Sequence, residues 1–486
     1  MSPSTVEPEI IPMKSRVIHK FYEPLVLLSA LNSATRETAV PVNVMASIDA
    51  DDDKEVFQAF VYKLGHVCDR VKGDYGATIT SFYVLQDQNN EDQVHYWFAS
   101  NQRTHEELEY TKAHVEGLLN KVKNASGDTS RQRSVFKALL SDVLIFNRPR
   151  VGYYISKMME HATKCISMCL DIPDEKEPMI GEILEVLVDL IDFDTSANTS
   201  DQVFAERCHQ IIIMLERLPL SPSGRAIAER AAEGRMPGVP SEECWSDLQH
   251  MINRTVAYAQ SVRFMLKAKS NWPKLFKHFD VSYYESSARM PRPFRNKSQT
   301  AEGIVGRMTR KTETMTTFRA FVLHLQMFDL DKLIQTEYRR ESFRPIVHSE
   351  VLLLDQLDKK GLLEKRFFFN GWMYIGSSKP TCKLCDHFFE KYPAKIGRRP
   401  THGNMYLSWR FPDVLKSQGD EGVQKRHDML ERVLQKVREE AFDIVKMKSP
   451  SSYRRDDSFT NSAALPPDRA GDVDDLASLL GQVDLD

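Results

Sequence analysis

The chain has 486 residues, 42% apolar and 27% charged, with a formal net charge of −3. That composition supports a sizeable buried core and excludes a uniformly basic nucleic-acid binder, so any basic surface must be local. The start lacks a basic region leading into an apolar core, so no secretory signal is expected, and no apolar run approaches the roughly 18 residues that span a bilayer.

Residues 1–50 form an N-terminal segment whose first 13 residues, polar and Pro-containing, read as a loose tail. From Asp51 the period becomes helical. Three aspartates offer N-caps, and Phe57, Phe60, Leu64, Val67 and Val71 follow at three-to-four spacing. Two β-branched and aromatic runs come next, Ala77–Leu85 and Val94–Ala99, joined by an Asn/Asp-rich connection; this is a hairpin signal. From 102 to 340 the sequence reads as amphipathic helix broken by turn clusters such as "LPLSPSGR", with no fixed-period repeat.

After 340 the character changes again. "IVHSEVLLLDQLDKKG" is a helix closed by Gly361. "KRFFFNGWMYIGSSK" reads as a buried strand. "PTCKLCDHFFEKYP" is a helix opened by Pro380 and stopped before Pro393. "GNMYLSWRF" is a second short strand, and "GVQKRHDMLERVLQKVREEAFDIVKMK" a final helix. Alternation of this kind predicts an α/β layer with a mainly parallel sheet. Residues 448–486 are Ser/Pro/Asp-rich and read as a disordered acidic tail. Its end, "DVDDLASLLGQVDLD", is amphipathic, and is either a solvated tail or a partner-docking helix.

Seven cysteines are scattered at Cys68, Cys165, Cys169, Cys208, Cys244, Cys382 and Cys385. They form no disulfide framework and point to a reducing compartment, cytosol or nucleus. Cys382 and Cys385 are three apart in the first turn of their helix, so their sulfurs face one spot. The helix N-terminus favours the thiolates that bind metal. Alone, such a pair is a redox couple, a zinc half-site or two packing residues. His161, Cys165 and Cys169 share a helix face and read as packing.

His348 and Glu350 stand at the start of the preceding helix. Two consecutive helix N-termini on one side of a strand meet at one sheet edge, the usual ligand position in open α/β sheets. One imidazole, two thiolates and a free carboxylate match the zinc deaminase signature H-x-E…P-C-x-x-C, in which the glutamate is the general acid/base. One departure is present: Thr381 separates Pro380 from Cys382.

"VHSEVLLLDQL", "YIGSSKPTCKLCDHFF" and "RRPTHGNMYLSWRFPD" together resemble the toxin-type deaminase family widespread in fungi, within the cytidine deaminase-like superfamily. The resemblance is specific over residues 345–415. It implies a Zn²⁺ site of His348, Cys382 and Cys385 with Glu350 as proton shuttle. The family's Gly/Ser-Lys turn matches Gly376, Ser377, Ser378 and Lys379, and its His-Gly and Trp pattern matches His402, Gly403 and Trp409. The implied fold is a three-layer α/β sheet with helices on both faces. That fold needs a hairpin before the H-x-E helix, and residues 51–101 hold the only good one. The expected organisation is therefore a deaminase domain begun by 51–101, interrupted by an all-helical insertion at 102–340 and completed by a catalytic core at 341–447. Asn101 then falls where the superfamily often contacts substrate.

The expected function is hydrolytic deamination at C4 of cytosine or C6 of adenine, in a nucleotide or nucleic acid. Trp372, Tyr374, His402 and Trp409 are candidate base-stacking residues, each also a candidate core residue. Basic stretches around "ARMPRPFRNKSQT", "GRMTRK", "YRRESFR" and "KIGRR" suit a phosphate backbone, or are solvated loops. Two other readings stand beside this one. His387 could complete a closed structural zinc site. A catalytically silent deaminase fold could instead bind a protein partner through the helical region or the acidic tail, without a membrane role.

Overall fold

A computed structural model describes residues 9–35, 48–49, 51–73, 76–125, 129–170, 179–191, 199–233, 244–294 and 299–447. The acidic tail from Ser449 lies outside these residues. In chain order the described elements begin with α1 (Ser15–Ala34), α2 (Asp53–His66) and strands β1 (Thr80–Gln86) and β2 (Gln93–Ser100). Seven helices follow: α3 (His105–Lys123), α4 (Thr129–Phe146), α5 (Arg148–Leu170), α6 (Ile180–Ile191), α7 (Asp201–Arg217), α8 (Pro222–Glu233) and α9 (Cys244–Asn271). Then come β3 (His278–Tyr284), α10 (Ala301–Met308), α11 (Thr312–Leu325), α12 (Leu330–Arg339), α13 (Ser349–Lys359), β4 (Tyr374–Ser377), α14 (Lys383–Lys391) and α15 (Gly419–Met447). No helix among the described residues is long and apolar enough to cross a membrane.

The chain divides into two compact units. One is drawn from the described residues of Met1–Pro41, Ser286–Leu363 and Pro380–Asp457, the other from those of Val42–Glu285 and Glu364–Lys379. Four strands of the second unit lie in the order β3-β2-β1-β4. The hairpin is antiparallel, with Thr80 opposite Ser100 and Gln86 opposite Val94. β4 is antiparallel to β1 and β3 is parallel to β2. The sheet is therefore mixed, and the expectation of a mainly parallel one is corrected.

One face of this sheet carries Phe82, Val84, Val94, Tyr96 and Phe98, which join α2 and the packed helices in one apolar core. Asp52 caps α2 by accepting from the backbone N–H groups of Lys54 and Glu55, two donors that a helix start leaves unpaired. β4 lies close against α2 because Gly376 has no side chain. A Cβ there would stand 2.7 Å from the Tyr62 nitrogen.

Three further expectations are revised. The strand His278–Tyr284 interrupts the stretch read as all-helical; its residues H-F-D-V-S-Y-Y alternate, and they pair along β2 from His278 to Tyr284. Only Tyr374–Ser377 of the long aromatic run is strand, because Asn370 and Gly371 take positive φ of 51° and 71° and turn the chain. Residues 403–411 form no strand; their one ladder contact is a bridge from Trp409 to Ile346.

In the first unit α1 was not foreseen. Its apolar residues run through every side of the helix, and Phe21, Leu25, Val26, Leu27, Leu28 and Leu31 are buried against α12 and α15. Such a helix shows no amphipathic period. α13 ends as expected: Gly361 sits at φ 66° and Leu362 N–H returns to the Leu357 carbonyl, which satisfies carbonyls the helix end would strand.

Candidate metal centre and its carboxylate

His348 and Cys382 are both N-cap residues, of α13 and α14. An N-cap has extended backbone, here φ −69°, ψ 148° for His348 and φ −74°, ψ 161° for Cys382. The side chain is thereby turned back across the helix mouth instead of out along the barrel. Glu350 and Cys385 occupy the first turns of the same two helices. The loop Pro400–Asn404 holds the cysteine segment, through Thr381 N–H to the Pro400 carbonyl and Lys383 N–H to the Asn404 carbonyl.

The three donor atoms converge. His348 Nδ1 lies 3.5 Å from Cys382 Sγ and 3.4 Å from Cys385 Sγ, and these residues form the metal-competent group of the described residues. All three are buried. Tetrahedral zinc with ordinary Zn–S and Zn–N bonds sets sulfur and imidazole nitrogen about 3.6 Å apart. The separations fit that edge, and two sulfurs facing one ring nitrogen fit a common ion better than a single hydrogen bond. The donor set leaves one tetrahedral position free of protein, as in catalytic sites.

Charge in the site is poised for an ion. Burial pushes the Cys382 thiol up, but hydrogen bonding with Cys385, the facing His348 and the Cys385 N–H bring it well below the usual thiol range. Burial, the Cys382 sulfur and Glu350 hold Cys385 above that range. Burial opposes charge on His348, yet Cys382 raises its affinity for a proton. Glu350 stays outside the donor set. Burial raises its carboxyl above the usual carboxylate range, against the pull of His348.

His387 does not join the group. Its Nε2 faces Glu440 Oε1 at 2.9 Å, and Lys383 reaches the other oxygen at 2.8 Å. The closed four-ligand structural site therefore loses its fourth ligand.

The remaining sequence candidates are placed as follows. His402 is buried; its Nδ1 accepts from Asn404 N–H, and its ring lies 5.7 Å from Tyr406. Tyr406 in turn lies 6.5 Å from the His348 ring. Trp409 has no exposed surface and gives its indole N–H to Cys385 Sγ at 3.2 Å, so it offers no open face for stacking. Trp372 belongs to the second unit, where it packs against Phe57 and Trp272. Tyr374 is buried in the same core. Asn101 and Lys379 are also buried residues of that unit, and Asn101 N–H bonds to the Ile79 carbonyl. Sequence reasoning missed Tyr406 and the donor role of Trp409. The aromatic spacing in "MYLSWRF" was the available signal. Several basic residues of the flanking stretches are engaged: Arg307 with Glu23, Arg340 with Glu337 and Arg398 with Asp386. Cys165, Cys169 and Cys244 are buried among helices, and Cys244 Sγ meets Met168 Sδ at 3.2 Å.

Residues 347–413 match the model of a family described as OTT_1508_deam:-like deaminase. The matched segment carries His348, Glu350, Cys382, Cys385, His402 and Trp409. No curated protein and no solved structure matches the chain.

Proposed function

We propose that the chain is a zinc-dependent hydrolytic deaminase that acts on a nucleobase, at C4 of cytosine or C6 of adenine, within a nucleotide or nucleic acid. The observation that carries this reading is the buried set of His348, Cys382 and Cys385 with an unligated Glu350, inside the deaminase-like segment. Zinc held there supplies Lewis acidity that brings the pKa of water toward neutral. The thiolates of Cys382 and Cys385 and the imidazole of His348 would hold such an ion, leaving room for water or substrate beside it. Glu350 takes one proton from the attacking water and delivers it to the ring nitrogen, then carries the second proton, from the newly formed hydroxyl, to the amino group, so that the C–N bond breaks and ammonia leaves. Burial excludes bulk water from that carboxyl, so the proton stays with the reacting atoms.

The hairpin β1–β2, paired with the strand that leads to Pro380, supports a cytidine deaminase-like sheet. On this reading 102–340 is largely an insertion that returns to the sheet through β3.

Ammonia release from cytosine- and adenine-containing nucleosides, nucleotides, DNA and RNA tests the reading. Glu350→Ala should keep one zinc per chain and lose at least about 10²-fold in rate, the scale of general acid–base catalysis. Unchanged release would remove Glu350 from the mechanism. Absence of release from every substrate, with zinc bound, would favour a silent fold.

A further inference from the structure

We propose that Trp409 is a positioning residue for the metal centre: its indole N–H fixes the Cys385 sulfur and draws electron density from it. This rests on the reading that His348, Cys382 and Cys385 hold an ion.

The geometry is specific. Nε1 lies 3.2 Å from Cys385 Sγ. An indole N–H is a donor only and cannot exchange roles. Buried, it needs an acceptor, and the sulfur is the one it meets. Each cysteine sulfur thus receives one N–H: Cys382 takes that of Cys385 at 3.5 Å, and Cys385 takes the indole.

The indole is also held from several sides. Ile346 N–H bonds to the Ser408 carbonyl and Arg410 N–H to the Ile346 carbonyl, both at 2.8 Å. This bridge ties Trp409 to the strand-like segment that leads directly into His348. Tyr22 Oη donates to the Trp409 carbonyl at 3.0 Å. Phe21, Phe388 and Phe411 pack around the ring, with centroids 5.9, 6.0 and 4.8 Å away. One backbone bridge therefore sets the imidazole and the sulfur's donor together. A hydrogen bond to a metal thiolate lowers the energy of the sulfur lone pair and orients it, as groups behind metal ligands commonly do. Trp409 is a packing residue in size and a metal-tuning residue through one proton.

Two measurements separate these roles. In the first, Co²⁺ replaces the resident ion in the full chain. Trp409→Phe keeps an aromatic ring and removes the N–H. The sulfur-to-cobalt absorption should move to lower energy, and affinity in chelator competition should fall about 10- to 100-fold, as for other groups that support metal ligands. Phe411→Leu loosens the same packing and keeps the N–H, so its band should stay in place. An unmoved band in Trp409→Phe, or an equal shift in both variants, would overturn the proposal. The second measurement needs no substitution. In ¹¹³Cd-loaded wild-type chain, the indole proton should show a scalar coupling to cadmium through the N–H···S bond. An indole proton uncoupled to bound cadmium would overturn the proposal while leaving the metal site intact. Failure of the wild-type chain to take up either metal would instead overturn the metal site and Trp409's role together.

Discussion

The Lys383 ammonium meets Glu440 Oε2 at 2.8 Å, and so fastens the first turn of the cysteine helix α14 to α15. His387, one turn on, reaches the other oxygen of the same carboxylate at 2.9 Å. Two basic side chains from one helix, four residues apart and on one face, thus flank a single carboxylate. Burial pushes the Glu440 carboxyl up, but the His387 hydrogen bond and the Lys383 charge bring it down to about 2.

Glu440 should therefore make stability pH-dependent. A carboxylate whose folded pKa lies below its unfolded value of 4.5 stabilises above the unfolded value and loses that contribution as pH falls toward the folded one. Glu440→Gln should cost about 2 kcal/mol at pH 7, the scale of hydrogen bonds to charged groups. In urea denaturation the gap between wild type and variant should be full above pH 4.5 and shrink steadily toward pH 2. A gap independent of pH would show that Glu440 acts by packing alone.

Gly376 and Gly117 should respond oppositely to alanine. At Gly376 the new Cβ would meet the Tyr62 nitrogen at 2.7 Å and Val61 Cγ1 at 2.8 Å. Backbone cannot move aside cheaply, so Gly376→Ala should destabilise by about 1–3 kcal/mol. Gly117 lies inside α3 with nothing within 4 Å of its Cβ position. Gly117→Ala should stabilise by about 0.5–1 kcal/mol. Thermal or urea unfolding reads both. A neutral Gly376→Ala would mean β4 does not lie against α2 as described.

Asp69 anchors the second unit's interior. Its carboxylate pairs with Arg150 Nη1 at 3.0 Å and accepts from Thr78 and Ser378 at 3.0 and 3.3 Å. Both charged partners are buried. Asp69→Ala leaves the guanidinium without its counter-charge and should cost about 3–5 kcal/mol. Adding Arg150→Met should recover part of that loss, because the stranded charge is removed. A double variant no more stable than Asp69→Ala would contradict the pairing.

Part of this structure was legible in the sequence because its determinants are local. The helix starts at His348 and Cys382 are written in short motifs, and N-cap geometry alone brings their side chains over the helix mouths. The hairpin was legible from its two β-branched and aromatic runs and the Asn/Asp-rich connection between them. α1 was not, because its buried residues run consecutively from Phe21 to Leu28 and so leave no polar stripe to mark it. β3 was hidden among helices, since seven alternating residues carry little weight until β2 is known to lie beside them. The turn at Asn370 and Gly371 was overridden by the aromatic run around it. Trp409 read as a stacking candidate from its residue type. Its actual neighbour, the Cys385 sulfur, is set by the bridge to Ile346 and by packing from Phe21 in α1, contacts that no local pattern records.

The central claim is one ion bound by one imidazole and two thiolates. X-ray absorption at the zinc edge of the full-length chain tests it most directly. The expected spectrum resolves about two sulfurs near 2.3 Å and about two nitrogen or oxygen neighbours near 2.0–2.1 Å, unchanged in Glu350→Ala and lost in Cys382→Ser/Cys385→Ser. A first shell without sulfur, or one that persists in the double cysteine variant, would contradict it.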